Sequence, residues 1–184
     1  MTTLIGISGS LRKGSLNTAL LRAAASMMPA GSELRIESIA GIPLYDGDAE
    51  DKHGIPPAVT HLKDAIVAAD GLLLVTPEYN NAMPGVAKNA FDWLSRPPAD
   101  SNRVFRGRPV ALTGASPGRF GTVLSQNSWL PMFRTLGVEL WTGRLMVSGA
   151  EKVFGADGEM VDAAMRELTR KFVEGFVAYV QARK

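Results

Sequence analysis

Short apolar runs alternate along the chain with longer stretches in which apolar residues recur at helical spacing. Thr3–Ile7 is a compact run of strand type that stops at Ser8-Gly9-Ser10. Leu16, Leu20, Ala23, Ala24 and Met27 follow at helical spacing. Pro29-Ala30-Gly31 ends that helix. Glu33–Ser38 alternates polar and apolar and predicts a second strand, with Leu34 and Ile36 inward. Gly41–Gly54 reads as a loop rich in Gly, Asp and Pro. A helix follows it, with Val59, Leu62, Ile66 and Ala69 on one face. Leu72–Thr76 is almost wholly apolar, which suits a strand buried on both faces. It stops at Pro77, because proline interrupts a central ladder. Val86, Ala90, Phe91 and Leu94 predict a helix closed by Pro97-Pro98, and Asp100–Arg108 reads as a polar linker. Pro109–Thr113 is a fourth strand and Gly114–Gly121 a loop of small residues. Thr122–Leu136 is helical in part, with Pro131 predicting a kink or a new start. Val138–Trp141 and Leu145–Val147 form a fifth strand region. Glu159–Ala182 is the last helix. Asp157, Glu159 and Asp162 stand at its start and Arg183 and Lys184 at its end, as the helix dipole favours.

Strands that alternate with helices imply right-handed β-α-β crossovers and a parallel sheet. Five strands covered on both faces fit a flavodoxin-like three-layer α/β sandwich, with a five-stranded parallel sheet in the order 2-1-3-4-5. The chain shows no internal repeat and no composition shift. Its 184 residues are expected to form one domain, 1–184.

Composition narrows the chemistry. There is no cysteine, which excludes disulfides, thiolate metal sites and a cysteine nucleophile. The two histidines, His53 and His61, lie in a polar loop and on a helix flank and read as solvated rather than as ligands. Asp46, Asp48, Glu50 and Asp51 form an acidic run that reads as a solvated loop in preference to a cation site. Trp93, Trp129 and Trp141 have apolar neighbours and read as core or subunit contacts. A net charge of +2 is no nucleic-acid footprint. No targeting segment and no membrane-length apolar stretch is visible, so the chain is expected to be cytoplasmic, with no nucleic-acid or membrane partner.

In such a sheet, ligands bind beyond the carboxyl ends of the strands, where the strand order reverses. Three loops lie there: Ser8–Asn17, Pro77–Asn81 and Gly114–Gly121. The first contains no acid and carries Arg12 and Lys13. It leads into a helix whose free N-terminal amides favour an anion. Ser10, Ser15 and Asn17 add short polar donors and Arg12 a forked cation, a set suited to a terminal phosphate held without metal. The competing reading is an ordinary loop in which Ser15 caps the helix. Gly9-x-x-x-x-Gly14-Ser15 lacks the lysine of a P-loop, and no acid follows the third strand to hold magnesium, which argues against phosphoryl transfer. The dinucleotide fingerprint G-x-G-x-x-G is absent too, so Glu37 reads as a solvated strand-end residue. The second loop sets Tyr79 among polar groups, where a planar ring could find a wall. The small residues of the third loop would let a ligand approach backbone amides, which suits the N1–C2 edge of a flavin as well as a generic turn.

Gly9 through Asn17 together with Thr76-Pro77-Glu78-Tyr79-Asn80 resembles the NAD(P)H-dependent FMN reductase family, and most of all its bacterial quinone and chromate reductase branch. Ile42–Asp46 and Lys88–Arg96 share the likeness, which spans Leu4 to about Ser148. The resemblance implies bound FMN and NAD(P)H as cosubstrate. Ser10, Arg12, Ser15 and Asn17 would hold the phosphate, within an implied cofactor-binding run that also includes Leu11, Lys13, Gly14 and Leu16. Pro77, Glu78, Tyr79 and Asn80 would line the isoalloxazine, and Ser116 and its neighbours would meet its pyrimidine side. No side chain is expected to act as catalytic acid or base and no metal is expected. Electrons would pass to a small-molecule acceptor: a quinone, an azo compound, chromate or free flavin. The family also implies a homodimer or homotetramer with FMN near the interface, built from the helices around Val86–Leu94 and Thr122–Leu136. In the third loop, Arg119 and Phe120 separate glycines that relatives place side by side, which would alter the ring pocket. The alternative is a flavodoxin-like electron carrier without a nicotinamide site. A phosphate-binding regulator of the same fold would leave the second and third loops without work.

Overall fold

The computed structural model covers Met1–Lys184. Four long strands carry the sheet: β1 (Thr2–Ser8), β2 (Ser32–Glu37), β3 (Gly71–Val75) and β4 (Pro109–Ala115). Two short ones, β5 (Glu139–Leu140) and β6 (Leu145–Val147), share the fifth position beside β4. Every pairing is parallel and the order is β2-β1-β3-β4-β5, with β6 also on β4. The fifth strand breaks because Val110 pairs with Leu140 and Thr113 with Leu145, so residues 141–144 bulge out of the ladder.

Both faces of this sheet are covered. Leu73 and Val75 point to one core, with Leu20 and Leu21 of α1 (Leu16–Ser26) and Phe172, Val173 and Phe176 of α7 (Ala163–Gln181). Leu72 and Leu74 point to the other, with residues of α3 (Pro57–Ala68), α4 (Gly85–Leu94), α5 (Pro98–Phe105) and α6 (Val123–Leu136). This burial on both sides explains why β3 is an unbroken apolar run. Trp93 and Trp129 are fully buried, whereas Trp141 is partly exposed and packs on Phe172 and Phe176. No helix is long and apolar enough to cross a membrane.

The structure corrects several local expectations. The Gly41–Gly54 segment contains a helix, α2 (Gly47–His53), none of whose residues is buried. Asp46 caps it, Gly54 ends it, and Glu50 ties it down by accepting from Tyr45 and Arg96. The Asp100–Arg108 segment is mostly α5, which buries only Val104 and Phe105. The last helix starts at Ala163, with Asp162 as its cap, while Asp157 turns back to accept from the Glu159 N–H. Pro131 neither breaks nor restarts α6. It sits on the exposed side, where water can reach the carbonyl it leaves unpaired. Ile36, near the carboxyl end of the edge strand β2, is 44% exposed rather than inward.

One buried cation organises the α3–α5 corner. Lys63 is 3% exposed; its Nζ donates to the Arg96 carbonyl and pairs with Asp100 at 3.0 Å. The Arg103 guanidinium, helped by Lys63, holds the Asp100 carboxyl down at about 2. A depressed carboxyl stabilises the fold above its unfolded-state value, and that contribution fades as pH falls. The parent should therefore lose stability between about 3.8 and about 2. Asp100→Asn should flatten that limb in a pH series of urea denaturations.

Candidate functional site

A cleft of about 250 Å³ opens past the carboxyl ends of β1, β3 and β4. The loop after β1 contributes Ser10, Arg12, Gly14, Ser15, Leu16 and Asn17. Pro77, Glu78 and Tyr79 come from the loop after β3, and Ala115, Ser116 and Pro117 from the end of β4 and the loop after it. Leu11, Lys13 and Asn80 of the expected set do not line it. Leu11 is half exposed, Lys13 faces an adjoining trough and Asn80 stands in a turn.

The first loop presents donors. Ser15 caps α1 by accepting from the Thr18 N–H at 3.3 Å. The N–H groups of Leu16 and Asn17 are left without an acceptor in the chain, and the first turn holds no acid. Ser10 is buried and its Oγ accepts from the Arg12 N–H at 3.3 Å. The Arg12 side chain is exposed and makes no ion pair or hydrogen bond. Gly14 faces open space, with nothing within 4 Å of where a Cβ would stand.

Asn17 braces the site. Its Nδ2 donates to the Ala115 carbonyl and its Oδ1 accepts from the Ala115 N–H, each at 2.9 Å, so it locks the first loop to β4. Glu78 braces the second loop: one carboxylate oxygen accepts from the N–H groups of Leu124 and Ser125, each at 2.9 Å. Thr122, at the helix start, makes no side-chain cap, so Glu78 caps α6 from another loop and its charge meets the positive end of that dipole. Thr76 adds a bond to Ser125 and accepts from the Trp129 indole.

Asn80 and Asn81 have positive φ and connect Tyr79 to Ala82, which exchange both backbone hydrogen bonds. This is the two-residue turn of a tight hairpin, and asparagine tolerates its left-handed backbone. Asn80→Gly should leave stability near the parent's. Asn80→Val should cost about 1–2 kcal/mol, read by denaturant titration.

The third loop places Ser116 in the cleft and turns its neighbouring amides inward. The N–H groups of Ala115, Ser116 and Gly118 go to Asn17, the Val147 carbonyl and the Ser116 Oγ. Among the residues of this loop that line the cleft, the donor that remains for a ligand is the Ser116 hydroxyl. Arg119 and Phe120 are exposed, Phe120 at 79%, and neither lines the cleft. Sequence reasoning missed Glu151, which lines the cleft from a 3-10 turn at Ala150–Lys152. Its only signal was position, a few residues past the carboxyl end of β6. Glu151 is exposed and pairs with no cation.

The chain has relatives that match it almost end to end. The sequence pattern of the NADPH-dependent FMN reductase family fits residues 2–152. An NAD(P)H-dependent FMN reductase of Pseudomonas aeruginosa is 43% identical over 97% of this chain and 95% of its own length. A 2-hydroxy-1,4-benzoquinone reductase of a Burkholderia species is 36% identical over 97% and 96%. Among solved structures, the FerB flavoenzyme of Paracoccus denitrificans, an NAD(P)H:acceptor oxidoreductase, superposes with a TM-score of 0.87 at 31% identity, covering 99% of this chain and 98% of that one. With the strand order, the three-loop cleft and these matches in agreement, the chain belongs to the NADPH-dependent FMN reductase family, oxidoreductases of flavodoxin-like fold.

Proposed function

We propose that this cleft holds FMN with its phosphate against the first loop, and that the protein uses NAD(P)H to reduce a quinone. The observation that carries the reading is the donor set at the start of α1: two free amides, serine hydroxyls and an unpaired Arg12, with no acid in the loop. That set fits a phosphate dianion without metal. The quinone is inferred from the benzoquinone-reducing relative.

The chemistry that FMN supplies when bound is two-electron exchange between a reduced nicotinamide and an acceptor. The chain binds and orients. Arg12 and the amides of Leu16 and Asn17 anchor the phosphate, and Pro77, Glu78 and Tyr79 form one wall for the ring. Ser116 offers a hydroxyl to its polar edge. One Glu78 oxygen is committed to α6 and Glu151 is exposed to water, so protons for the reduced quinone come from solvent. We read the activity as cytoplasmic, a compartment that holds reductants of this kind.

Arg12→Ala should weaken FMN binding by about 1.5–3 kcal/mol, the value of a charge-assisted bond, in a fluorescence titration. Unchanged affinity would place the phosphate elsewhere. Glu151→Gln should act oppositely and tighten FMN about two- to fivefold, by removing a carboxylate from the wall of an anion site. We also read the protein as a homodimer or homotetramer with the cleft near the interface. Val86 on α4, Leu124 and Leu130 on α6, and Tyr79 and Phe120 beside the cleft are exposed apolar side chains, which water disfavours. Leu130→Glu should shift sedimentation toward the monomer.

A further inference from the structure

We propose that a trough beside the cleft is a second anion subsite, one that takes the phosphorylated adenosine half of a dinucleotide. This rests on the FMN reading above and deepens it.

The trough has a volume of about 210 Å³ and shares Gly14, Ser15 and Leu16 with the cleft, so the two are continuous around the start of α1. Lys13 and Arg22 reach it from the α1 side. Arg22 lies two turns below Ser15 on one stripe of the helix, with the small, largely covered Ala19 between them. Both cations are exposed, and neither is engaged in an ion pair or a side-chain hydrogen bond. The facing wall is the turn at Gly155–Gly158. There the Asp157 Oδ1 accepts from the Glu159 N–H, which leaves its Oδ2 free. Half-buried Leu16 supplies the apolar surface of the floor, with Phe154 buried beneath it.

Two cations against one carboxylate favour an anion. The carboxylate also selects which anion. A bare phosphate meets Asp157 as a repulsion, whereas a ribose phosphate brings hydroxyls that donate to it. The apolar floor suits a base. Adenosine phosphate carries all three features, and the continuity with the cleft gives it two sources. A reduced nicotinamide dinucleotide lying in the cleft could extend its adenosine end into the trough, and so could FAD from the flavin phosphate.

The test titrates adenosine 2′,5′-bisphosphate and ADP into FMN-loaded protein by calorimetry, in the parent and in Arg22→Glu. A parallel incubation with excess FAD measures how much FAD replaces FMN. Arg22 is exposed and unpaired, so the reversal should leave folding and FMN retention intact. Asp157→Asn serves as a second variant, expected to weaken ADP while leaving inorganic phosphate unchanged or tighter. Loss of affinity for the adenosine phosphates in Arg22→Glu by about tenfold or more, with FMN retained, supports the trough, and with FAD uptake unchanged it assigns it to the nicotinamide source. Loss of FAD uptake alone assigns it to the flavin source. If the parent binds no adenosine phosphate and takes up no FAD, or if both variants match the parent, the proposal fails. A parent that never retained FMN would instead overturn the FMN reading, and the adenosine phosphate titration would still report on the trough.

Discussion

Gly114→Ala should give a protein that cannot assemble its cleft. A Cβ at this position would stand 2.0 Å from the Thr76 carbonyl oxygen and 2.3 Å from the Thr122 Oγ1. Neither neighbour can yield cheaply. The Thr76 N–H donates to the Thr113 carbonyl, and its hydroxyl is held by Ser125 and by the Trp129 indole. Thr122 begins α6, and its Oγ1 accepts from Gln126. Backbone must therefore move at the point where β3, β4 and α6 meet, directly beneath the second and third loops. Overpacking of a fixed site costs about 3 kcal/mol at the upper end of its usual range, and a clash with backbone belongs at that end. Chemical denaturation should show the loss, and FMN should no longer survive desalting. A variant with parental stability would mean that the strands are farther apart than described.

Asn17→Ala should produce a comparably large effect, by a different route. Asn17 is 4% exposed and satisfies both backbone groups of Ala115. Truncation leaves a buried N–H and a buried C=O without partners, each worth about 1–3 kcal/mol. A combined loss of about 2–6 kcal/mol is expected. FMN affinity should fall with it, because the first loop and β4 lose their only side-chain tie. Asn17→Asp separates the two consequences. It can still accept from the Ala115 N–H but cannot donate to the carbonyl, and it adds a negative charge next to the phosphate subsite. It should be more stable than Asn17→Ala and bind FMN worse than its stability alone implies. If Asn17→Ala binds FMN like the parent, the brace is not what shapes the cleft.

These two residues also mark how far the sequence could be read. Order of strands, burial of β3 and the position of the cleft were legible because they follow from periodicity and from a general rule about parallel sheets. The cap at Ser15 was legible because its signal is local: a serine followed by a helical apolar pattern. The helix α2 was not, because its residues are all polar or small and none is buried, so nothing marks a face. What fixes it is Glu50, which accepts from nearby Tyr45 and from Arg96, 46 residues away. Asn17 could be singled out as polar and well placed, but its partner lies 98 residues away. Glu78 was read as a ring contact, and its bonds to the start of α6 span 46 and 47 residues. Roles that depend on a partner distant in sequence need the fold. The first loop's charge, by contrast, is a local property: of its two carriers, Arg12 lines the cleft and Lys13 the adjoining trough.

The central claim is that the cleft after β1 binds FMN and that NAD(P)H reduces it there for delivery to a quinone. The most direct measurement is the absorbance spectrum of FMN-loaded, desalted protein under argon, recorded before and after addition of NADPH or NADH and again after a benzoquinone. The account predicts that flavin absorbance stays with the protein, bleaches on addition of the nicotinamide and returns with the quinone, and that Arg12→Ala retains less flavin. Flavin that separates from the parent on desalting, with no nicotinamide oxidation above a protein-free control, would contradict it.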